Sequence, residues 1–365
     1  MVAGKYQIHN LDEINTPALA LYPSIVQQNI SKAIEIAGEN ILRPHIKTCK
    51  MAPVIQMMMV AGVGHFKCAT IAEGELLGME KAKDVLLAYQ LVGANLQRFK
   101  NIMAAYPETI FSCLIDNNAS LKTLSTVFEG SMVNIFIDVN AGMNRTGVKF
   151  ENVASLLQDC TLYSNIAVKG IHAYDGNIYD TQLSGRKHNA DEAYRIAEEA
   201  RSIAEKILGR SLTMVIGGTP TFPMHAQRHN VQCSPGTFVF WDRGYSVLAD
   251  LPFTIAAVLL TRVVSIVNKN LLCLDMGHKA VASENPLHQR LHFLNVDRAE
   301  LISHSEEHLT VRVADTSNHH IGEVWYAIPY HICPTVALYN EVDVIEYSYR
   351  TQQWKVIARN RRINY

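Results

Sequence analysis

Apolar runs alternate with helix-like segments through the first two thirds of the chain. From about Leu42 to about Trp241 there are eight strand-like runs, which are "ILRPHIK", "GHFKCAT", "DVLLAY", "TIFSCLID", "MVNIFIDV", "IAVKGIHAY", "LTMVIGG" and "GTFVFWD". The segments between them, of which "RKHNADEAYRIAEEARSIAEKILG" is the clearest, repeat apolar residues three and four positions apart. Eight strands, most of them followed by a helix, predict an α/β fold of the (β/α)8 TIM barrel type, with a doubly wound open sheet as the alternative.

The pattern changes after Asp250. The following runs, such as "FTIAAVLLTRVVSIV", "GEVWYAIPY" and "VDVIEYSY", are β-rich and have no long helical pattern between them. We therefore predict a barrel over residues 17–247 and an all-β domain over residues 248–365. Residues 1–16 are expected to form an N-terminal segment that packs with the β-domain.

Three nitrogen bases occupy alternate positions in the stretch "ILRPHIKTCKMAP". If this stretch is a strand, Arg43, His45 and Lys47 lie on one face and apolar side chains lie on the other. Buried charges are costly unless they are paired, so such a face should lie at the C-terminal mouth of the barrel, where barrel active sites form. The alternative is a surface strand whose charged side chains face the solvent.

Composition excludes several classes of protein. The chain has 365 residues, is 48% hydrophobic and 18% charged, and carries a formal net charge of -1. The absence of a basic excess argues against nucleic acid or an anionic membrane as a partner. No apolar run reaches the ~18 residues of a membrane span. The seven cysteines include no C-x-x-C pair, and the N-terminus has no apolar signal region, so we expect a cytoplasmic protein without a disulfide framework.

Two glycine-containing loops have the composition of a phosphate cradle. The first is "GGTP" at residues 217–220, and the second is "PGT" at residues 235–237. Glycine lets backbone N–H groups approach phosphate oxygens, and the threonine hydroxyls add donors. Taken alone, each loop is more simply interpreted as an ordinary turn.

A histidine and a cysteine lie two positions apart in "PYHICPTV". On a strand His331 and Cys333 point to the same side, and an imidazole with a thiolate suits Zn2+, with bond lengths of roughly 2.0–2.1 and 2.3 Å. Two protein ligands would leave the metal open for water and for a substrate hydroxyl. The alternative is an ordinary buried pair on a β-strand.

These motifs together resemble one known family. The stretch around Lys47, "RPHIKTCK", resembles the "RPH-x-KT-x-K" segment of the D-threonine aldolase and D-serine dehydratase family, which are fold-type III pyridoxal phosphate (PLP) enzymes related to alanine racemase through the barrel. The other matching stretches, in family order, are "NTPALALYPSIVQQNI", "DVNAGMNRTGV", "GIHAYDGN", "VIGGTPTFP", "SPGTFVFWD" and "PYHICPTV". The resemblance covers nearly the whole chain.

The resemblance implies a role for each motif. Lys47 would form the Schiff base with PLP, while His45 and Arg43 tune and orient it. The implied cofactor-binding residues are Lys47, Arg145, His172, Tyr174, Gly217, Gly218, Thr219, Ser234, Gly236 and Thr237. His331 and Cys333 would hold a divalent metal, with Zn2+ favoured and Mn2+ or Mg2+ as alternatives. No role is assigned to Glu307 or His308.

The resemblance also implies the reaction. We expect a PLP- and metal-dependent lyase that removes water from a D-3-hydroxy amino acid. D-serine is favoured because the metal motif is His-x-Cys, as in D-serine dehydratase-like members of the family, and not His-x-Asp, as in typical D-threonine aldolases. Aldol cleavage of D-threonine, or an aldolase or dehydratase acting on 3-hydroxy-D-aspartate, is the nearest alternative. Alanine racemases have an arginine where this chain has Ser234, which argues against a racemase. A non-catalytic PLP-binding protein usually lacks the β-domain. Related enzymes share active sites between subunits, so a homodimer is implied.

Overall fold

The computed structural model describes residues 4–38 and 41–365. The chain divides into two compact units. The strand-rich unit comprises Met1–Ile30, Thr48–Val54 and Thr237–Arg359, and the barrel unit comprises Ser31–Lys47, Ile55–Gly236 and Asn360–Tyr365. Residues 1–3 of the predicted N-terminal segment lie outside the described residues.

The described residues form the following regular elements. The strands are β1 (Ala18–Leu21), β2 (Ile41–Leu42), β3 (His65–Cys68), β4 (Asp84–Gln90), β5 (Ile110–Ile115), β6 (Val133–Val139), β7 (Ile166–Ala173), β8 (Thr213–Ile216), β9 (Val231–Cys233), β10 (Ala257–Asn268), β11 (Leu271–Leu274), β12 (Leu291–Phe293), β13 (Glu300–His304), β14 (Leu309–Arg312), β15 (Val324–Pro329), β16 (Glu341–Glu346) and β17 (Tyr349–Lys355). The α-helices are α1 (Pro23–Ala37), α2 (Ala52–Val60), α3 (Ile71–Met79), α4 (Ala94–Ala105), α5 (Asn118–Val127), α6 (Val153–Cys160), α7 (Leu183–Leu208), α8 (Phe222–His225) and α9 (Ile332–Val336).

The barrel unit contains eight parallel strands in the order β2-β9-β8-β7-β6-β5-β4-β3. The two ends of this order are joined by backbone hydrogen bonds, because Ile46 donates to the Lys67 carbonyl over 2.9 Å and Lys67 donates to the Pro44 carbonyl over 2.9 Å. Leu86, Leu114, Phe136 and Val215 are buried and pack together. The predicted barrel is therefore confirmed, and the open-sheet alternative is wrong.

Two of the predicted barrel strands differ in the structure. Ladder contacts of β2 continue as far as His45, which bridges Lys67, but the chain then turns, so Lys47 lies on a turn and not on a strand. The run "GTFVFWD" forms a 3-10 helix over Thr237–Val239, and the eighth strand is β9 in the sequence "VQC". A short buried apolar run has the same composition in a turn as in a strand, so its period does not distinguish them.

The strand-rich unit is built on a largely antiparallel sheet in the order β13-β14-β11-β10-β1-β16-β17, with β15 paired to β10 and β12. The predicted runs "FTIAAVLLTRVVSIV", "GEVWYAIPY" and "VDVIEYSY" correspond to strands β10, β15 and β16. Strand β1, which the sequence placed at the start of the barrel, instead pairs with β10 and β16. A fully buried four-residue run carries no signal for which sheet it joins, so its partner could not be read from the sequence. No helix of the described residues is long and apolar enough to cross a membrane.

Candidate active site

The segment that follows β2 fixes the backbone of Lys47. The Lys47 N–H donates to Nδ1 of His45 over 3.2 Å, so that ring nitrogen acts as an acceptor. The preceding Ile46 N–H is bonded to the Lys67 carbonyl of β3. His45 is buried and Lys47 is half-buried. These bonds hold the Lys47 main chain in a defined turn at the end of the strand.

Three cationic side chains surround the ring of Tyr174 in the barrel unit. Lys47 Nζ lies 5.5 Å from the ring centroid and Lys67 Nζ lies 5.2 Å from it. The guanidinium carbon of Arg145 lies 5.1 Å away. These distances are within cation–π range. Three of the residues predicted from the sequence are thus brought together, and Lys67 joins them.

The position of the Tyr174 ring depends on a glycine. A Cβ atom on Gly176 would lie 2.3 Å from Cε1 of Tyr174 and 2.5 Å from its hydroxyl oxygen. Any side chain at residue 176 would therefore displace the ring. The glycine of "HAYDG" is required by this close approach.

His172 lies on β7 and is bonded to Asp138 on β6. Its Nδ1 lies 2.7 Å from Oδ1 of Asp138. Burial lowers the pKa of His172 in spite of this bond, so the ring is neutral and its Nδ1–H donates. Burial alone would raise the pKa of Asp138, but the bond from His172 brings it below its usual range. His172 Nε2 is then a buried acceptor without a partner among the described residues.

Lys67, which also lies at the Tyr174 ring, was not identified by the sequence analysis. Its side chain is only 2% exposed. Burial lowers the pKa of Lys67 to about 7, and the positive charge of Lys47 acts in the same direction. The available signal was a lysine in the middle of the apolar run "GHFKCAT", where a barrel strand is expected to be buried.

The first glycine loop is braced from behind by buried polar residues. Gly217 has φ +90, and a Cβ there would lie 2.7 Å from the His225 ring. The Gly218 N–H donates to Oδ1 of Asp175 over 3.0 Å, and Oδ2 of Asp175 lies 2.7 Å from Nε2 of His225. The Gly218 N–H is therefore already bonded within the chain. The sequence analysis did not identify Asp175 or His225.

The second loop is tied to the first. The Gly236 N–H donates to Oγ1 of Thr219 over 3.0 Å. Ser234 Oγ donates to the Arg43 carbonyl over 3.0 Å. The two predicted loops thus form one connected, buried substructure of the barrel unit up to Gly236.

The structure does not bring the Arg43 guanidinium to the Tyr174 ring. The guanidinium is buried and bonded to Asp84 over 2.7 Å and to Gln232 over 2.6 Å. Asp84 begins β4, so these bonds lie toward the start of that strand. Removing one partner of such a pair would leave the other charge uncompensated, so the guanidinium is committed to these partners.

His331 and Cys333 lie in the strand-rich unit, at the start of a helix and not on a strand. His331 is the N-cap of α9 and has extended backbone angles, which is why its side chain still meets that of Cys333. Nδ1 of His331 lies 2.6 Å from Oε1 of Glu284. The Cys333 sulfur lies 3.0 Å from Thr48 Oγ1 and 3.4 Å from Thr237 Oγ1.

The donor set at this pair fits a metal with open positions. Glu284 accepts from Nδ1 of His331, which leaves Nε2 directed elsewhere, and a carboxylate in this role is the usual support for a metal-binding histidine. Among the described residues there is no group of three or more His, Cys, Asp and Glu side chains that could hold a metal. A metal held here by described side chains of these types would therefore have His331 and Cys333 as its protein ligands and keep its other positions open.

The barrel residues likewise fit an anionic, aldehyde-bearing cofactor. They offer an amine at Lys47, further cationic groups around one ring, and a buried acceptor at His172 Nε2. The strand-rich unit also contains a cavity of about 490 Å³, which is lined by residues such as Lys279, Glu307 and Arg350 and by none of the candidate cofactor or metal residues.

Two family models match the sequence. The model described as "Alanine racemase, N-terminal domain" matches residues 23–243, which is more than half of the chain. The model described as "Putative serine dehydratase domain" matches residues 256–345. The predicted succession of a racemase-like barrel and a dehydratase-like domain is therefore confirmed.

Known proteins of similar length share this organisation. D-serine dehydratase of Dictyostelium discoideum is 23% identical, covering 92% of this chain and 94% of the relative. The crystal structure of D-threonine aldolase from Filomicrobium marinum has a TM-score of 0.87 at 21% identity and covers 98% of each chain. A variant of D-threo-3-hydroxyaspartate dehydratase, described as being in the metal-free form, has a TM-score of 0.81 at 19% identity and covers 95% of this chain and 98% of that one.

These relatives are lyases, which confirms the predicted enzyme class for the family, and their shared fold agrees with the barrel and strand-rich units described above. The chain belongs to the family described as alanine racemase, N-terminal domain, and is related within it to D-threonine aldolases and D-serine dehydratases.

Proposed function

We propose that this chain is a PLP- and divalent-metal-dependent lyase of D-3-hydroxy amino acids, and that it removes water from D-serine. The observation that carries this proposal is the convergence of Lys47, Arg145 and Tyr174 in the barrel unit. Two cationic side chains that are far apart in the sequence, Lys47 and Arg145, meet at the ring of Tyr174, as a cofactor with acidic oxygens requires.

Each of these residues has a role that its position supports. PLP, when bound, supplies an electron sink for the charge that develops at the substrate Cα. Lys47 would hold the cofactor covalently, and its amine, when not bonded to the cofactor, would accept the Cα proton of the substrate. His45 fixes the Lys47 main chain through its Nδ1. The pair of His172 and Asp138 presents an acceptor, His172 Nε2, whose tautomer is set by the carboxylate.

The glycine loops would hold the phosphate group. Residues 217–219 and 234–236 are joined by the bond from Gly236 to Thr219, and Thr237 continues the second loop. The bond from Gly218 to Asp175 fixes the shape of the first loop. The remaining donors of the two loops, and not the Gly218 N–H, would meet the phosphate oxygens.

His331 and Cys333 would bind the metal, with Zn2+ as the favoured ion and Mn2+ or Mg2+ as alternatives. A divalent ion supplies a Lewis acid that assists departure of a hydroxyl group. Glu284 orients the imidazole by accepting from Nδ1. Thr48 and Thr237 contact the Cys333 sulfur and restrict its rotamer. A thiolate ligand favours zinc over harder ions.

Aldol cleavage is the second candidate, because a D-threonine aldolase shares the fold over 98% of the chain. The cysteine of the metal pair favours dehydration, since the family resemblance associates His-x-Cys with the dehydratase form. We further propose that the enzyme works as a homodimer in a reducing compartment, the latter because all seven cysteines are free thiols.

Product analysis distinguishes the candidates. The purified protein, loaded with PLP, is incubated with D-serine, D-threonine or D-threo-3-hydroxyaspartate, each with and without a chelator. Dehydration gives a keto acid and ammonia, and aldol cleavage gives glycine and an aldehyde. We expect keto acid from D-serine that disappears with the chelator. Glycine as the main product would establish the aldolase, and turnover of none of the three substrates would contradict the proposal.

A further inference from the structure

Lys67 is the most deeply buried cation at the Tyr174 ring. Its side chain is 2% exposed, whereas Lys47 and Tyr174 are half-buried and Arg145 is exposed. No carboxylate of the described residues lies within ion-pair distance of its Nζ, which lies 5.2 Å from the centroid of the Tyr174 ring. Placing a lysine side chain this deep in the protein is costly unless its charge is compensated, and a bound anion would compensate it.

The nearby acidic groups are already bonded to other residues. Asp138 accepts from His172 and from Gln90. Asp175 accepts from His225 and from the Gly218 N–H. Both carboxylates act on Lys67 only at a distance, while Lys47 and Arg43 repel its charge. The groups that face Lys67 thus carry charges of both signs, and neither of these two carboxylates is bonded directly to its ammonium group.

The main chain places Lys67 beside Lys47 independently of these charges. Residue 67 is bridged to His45, two positions before Lys47, and its carbonyl accepts from Ile46. Lys67 on β3 and Lys47 on the turn after β2 consequently reach the same ring. The geometry is that of a site for a ligand with an acidic oxygen.

We propose that Lys67 is a further binding residue of the active site, whose ammonium group pairs with an acidic oxygen of the bound PLP or with the carboxylate of the amino-acid substrate. This inference rests on the proposed function. It assigns to β3 a contact with the ligand that the sequence motifs leave unassigned.

Ligand binding at Lys67 should be coupled to the uptake of a proton. Burial and Lys47 lower the pKa of Lys67 to about 7, and an anion placed beside it would raise that value again. Binding therefore takes up a proton. The affinity for the ligand is highest below pH 7 and falls as the pH rises above it, until the pKa of the bound state is reached. An arginine at residue 67 stays charged throughout and removes this pH dependence.

The test compares four forms of the full-length chain after removal of PLP: wild type, Lys67→Met, Lys67→Arg and the exposed control Lys83→Met. PLP affinity is measured by fluorescence titration between pH 6 and 9, and substrate KM is measured at saturating PLP. At pH 6.5 we expect Lys67→Met to raise one of the two constants by roughly 10- to 100-fold, and Lys67→Arg to raise it less. An increase in the PLP dissociation constant identifies the cofactor as the partner, and an increase in KM alone identifies the substrate carboxylate.

A thermal melt of the same cofactor-free proteins separates binding from folding. Methionine fills a similar volume without a charge, so Lys67→Met should melt no lower than wild type while it binds more weakly. Unchanged PLP affinity and KM in Lys67→Met would overturn the assignment of Lys67 alone. A wild-type chain that binds no PLP would overturn the proposed function and this inference with it.

Discussion

Oδ2 of Asp175 lies 2.7 Å from Nε2 of His225, and both side chains are fully buried behind the first glycine loop. The other nitrogen of that ring, Nδ1, accepts from the Arg228 guanidinium over 2.7 Å. Because arginine can only donate, the imidazole is neutral and carries its proton on Nε2, directed at Asp175. The same carboxylate accepts from Gly218 through its other oxygen. A single carboxylate thus fixes both the tautomer of His225 and the shape of the loop.

Replacing His225 by alanine should lower the free energy of unfolding by about 2 kcal/mol or more, because it leaves a buried carboxylate oxygen without its donor. Urea denaturation at pH 7 measures the loss. His229→Ala is the matched control, since that histidine is exposed on the same segment. We expect PLP affinity to fall with stability in the His225 variant, because the loop loses its brace. Equal stabilities of the two variants would contradict the role assigned to the Asp175–His225 pair.

Acid should weaken the barrel unit through the same carboxylate. Burial alone would raise the pKa of Asp175, but hydrogen bonds from His225 and Thr221 bring it below its ordinary value of 3.8. A folded-state pKa below the unfolded one contributes stability above pH ~4 that is lost as the pH falls through the folded value. Asp175→Asn should therefore show a shallower loss of stability below pH 4 than wild type. Urea unfolding from pH 6 down to pH 3 gives both slopes, and identical slopes would exclude Asp175 as a source of acid sensitivity.

The sequence and the structure agree where several residues act together and differ where one short run was interpreted alone. The order of strands and helices, and the meeting of Lys47, Arg145 and Tyr174, follow from motifs whose spacing is fixed by the barrel. The alternation around Lys47 and the spacing of His331 and Cys333 also occur in turns and at helix starts. Period two in three or four residues therefore does not establish a strand.

The sequence analysis did not identify three buried polar residues, and the reason is different from that for the misinterpreted strands. Asp175, His225 and Lys67 are buried polar residues, and the role of each depends on contacts with residues that are distant in the sequence. His225 meets Asp175 across 50 positions. Lys67 was visible as a charge inside an apolar run, but only its position at the Tyr174 ring gives that charge a role. Periodicity can be recognised in the sequence, whereas contacts between such distant residues can be identified only once the fold is known.

Lys47→Ala should lose lyase activity by roughly 100-fold or more, since both covalent attachment of PLP and acceptance of the Cα proton depend on that amine. Borohydride reduction of the PLP-loaded wild type, followed by peptide mapping, should place the cofactor on Lys47. The exposed Lys83→Ala variant serves as the control for both measurements. Label on a different lysine, or full turnover without Lys47, would remove the basis of the proposed site.

A shared active site predicts recovery of activity in mixed dimers. Chains with Lys47→Ala and chains with His331→Ala should each be inactive, and hybrids of the two should regain up to about half of the sites if each site takes residues from both subunits. Subunit exchange is verified with differently tagged chains. Persistent inactivity of confirmed hybrids would show that Lys47 and His331 act within one chain.

Removal of the metal should decrease turnover by orders of magnitude while PLP remains bound, because covalent attachment of the cofactor through Lys47 does not require a metal at His331 and Cys333. Hydroxide is a poor leaving group, and a bound divalent ion can lower the pKa of a coordinated oxygen strongly, from ~15.7 to ~7 for water on zinc. Elemental analysis and activity before and after chelation test this, with Cys273→Ser as a control thiol outside the pair. Cys333→Asp keeps two ligands but makes the site harder, so its preference should move from Zn2+ toward Mn2+ or Mg2+. Full activity in protein stripped of metal would leave His331, held by Glu284 at 2.6 Å, as a structural residue and the enzyme as a metal-free lyase.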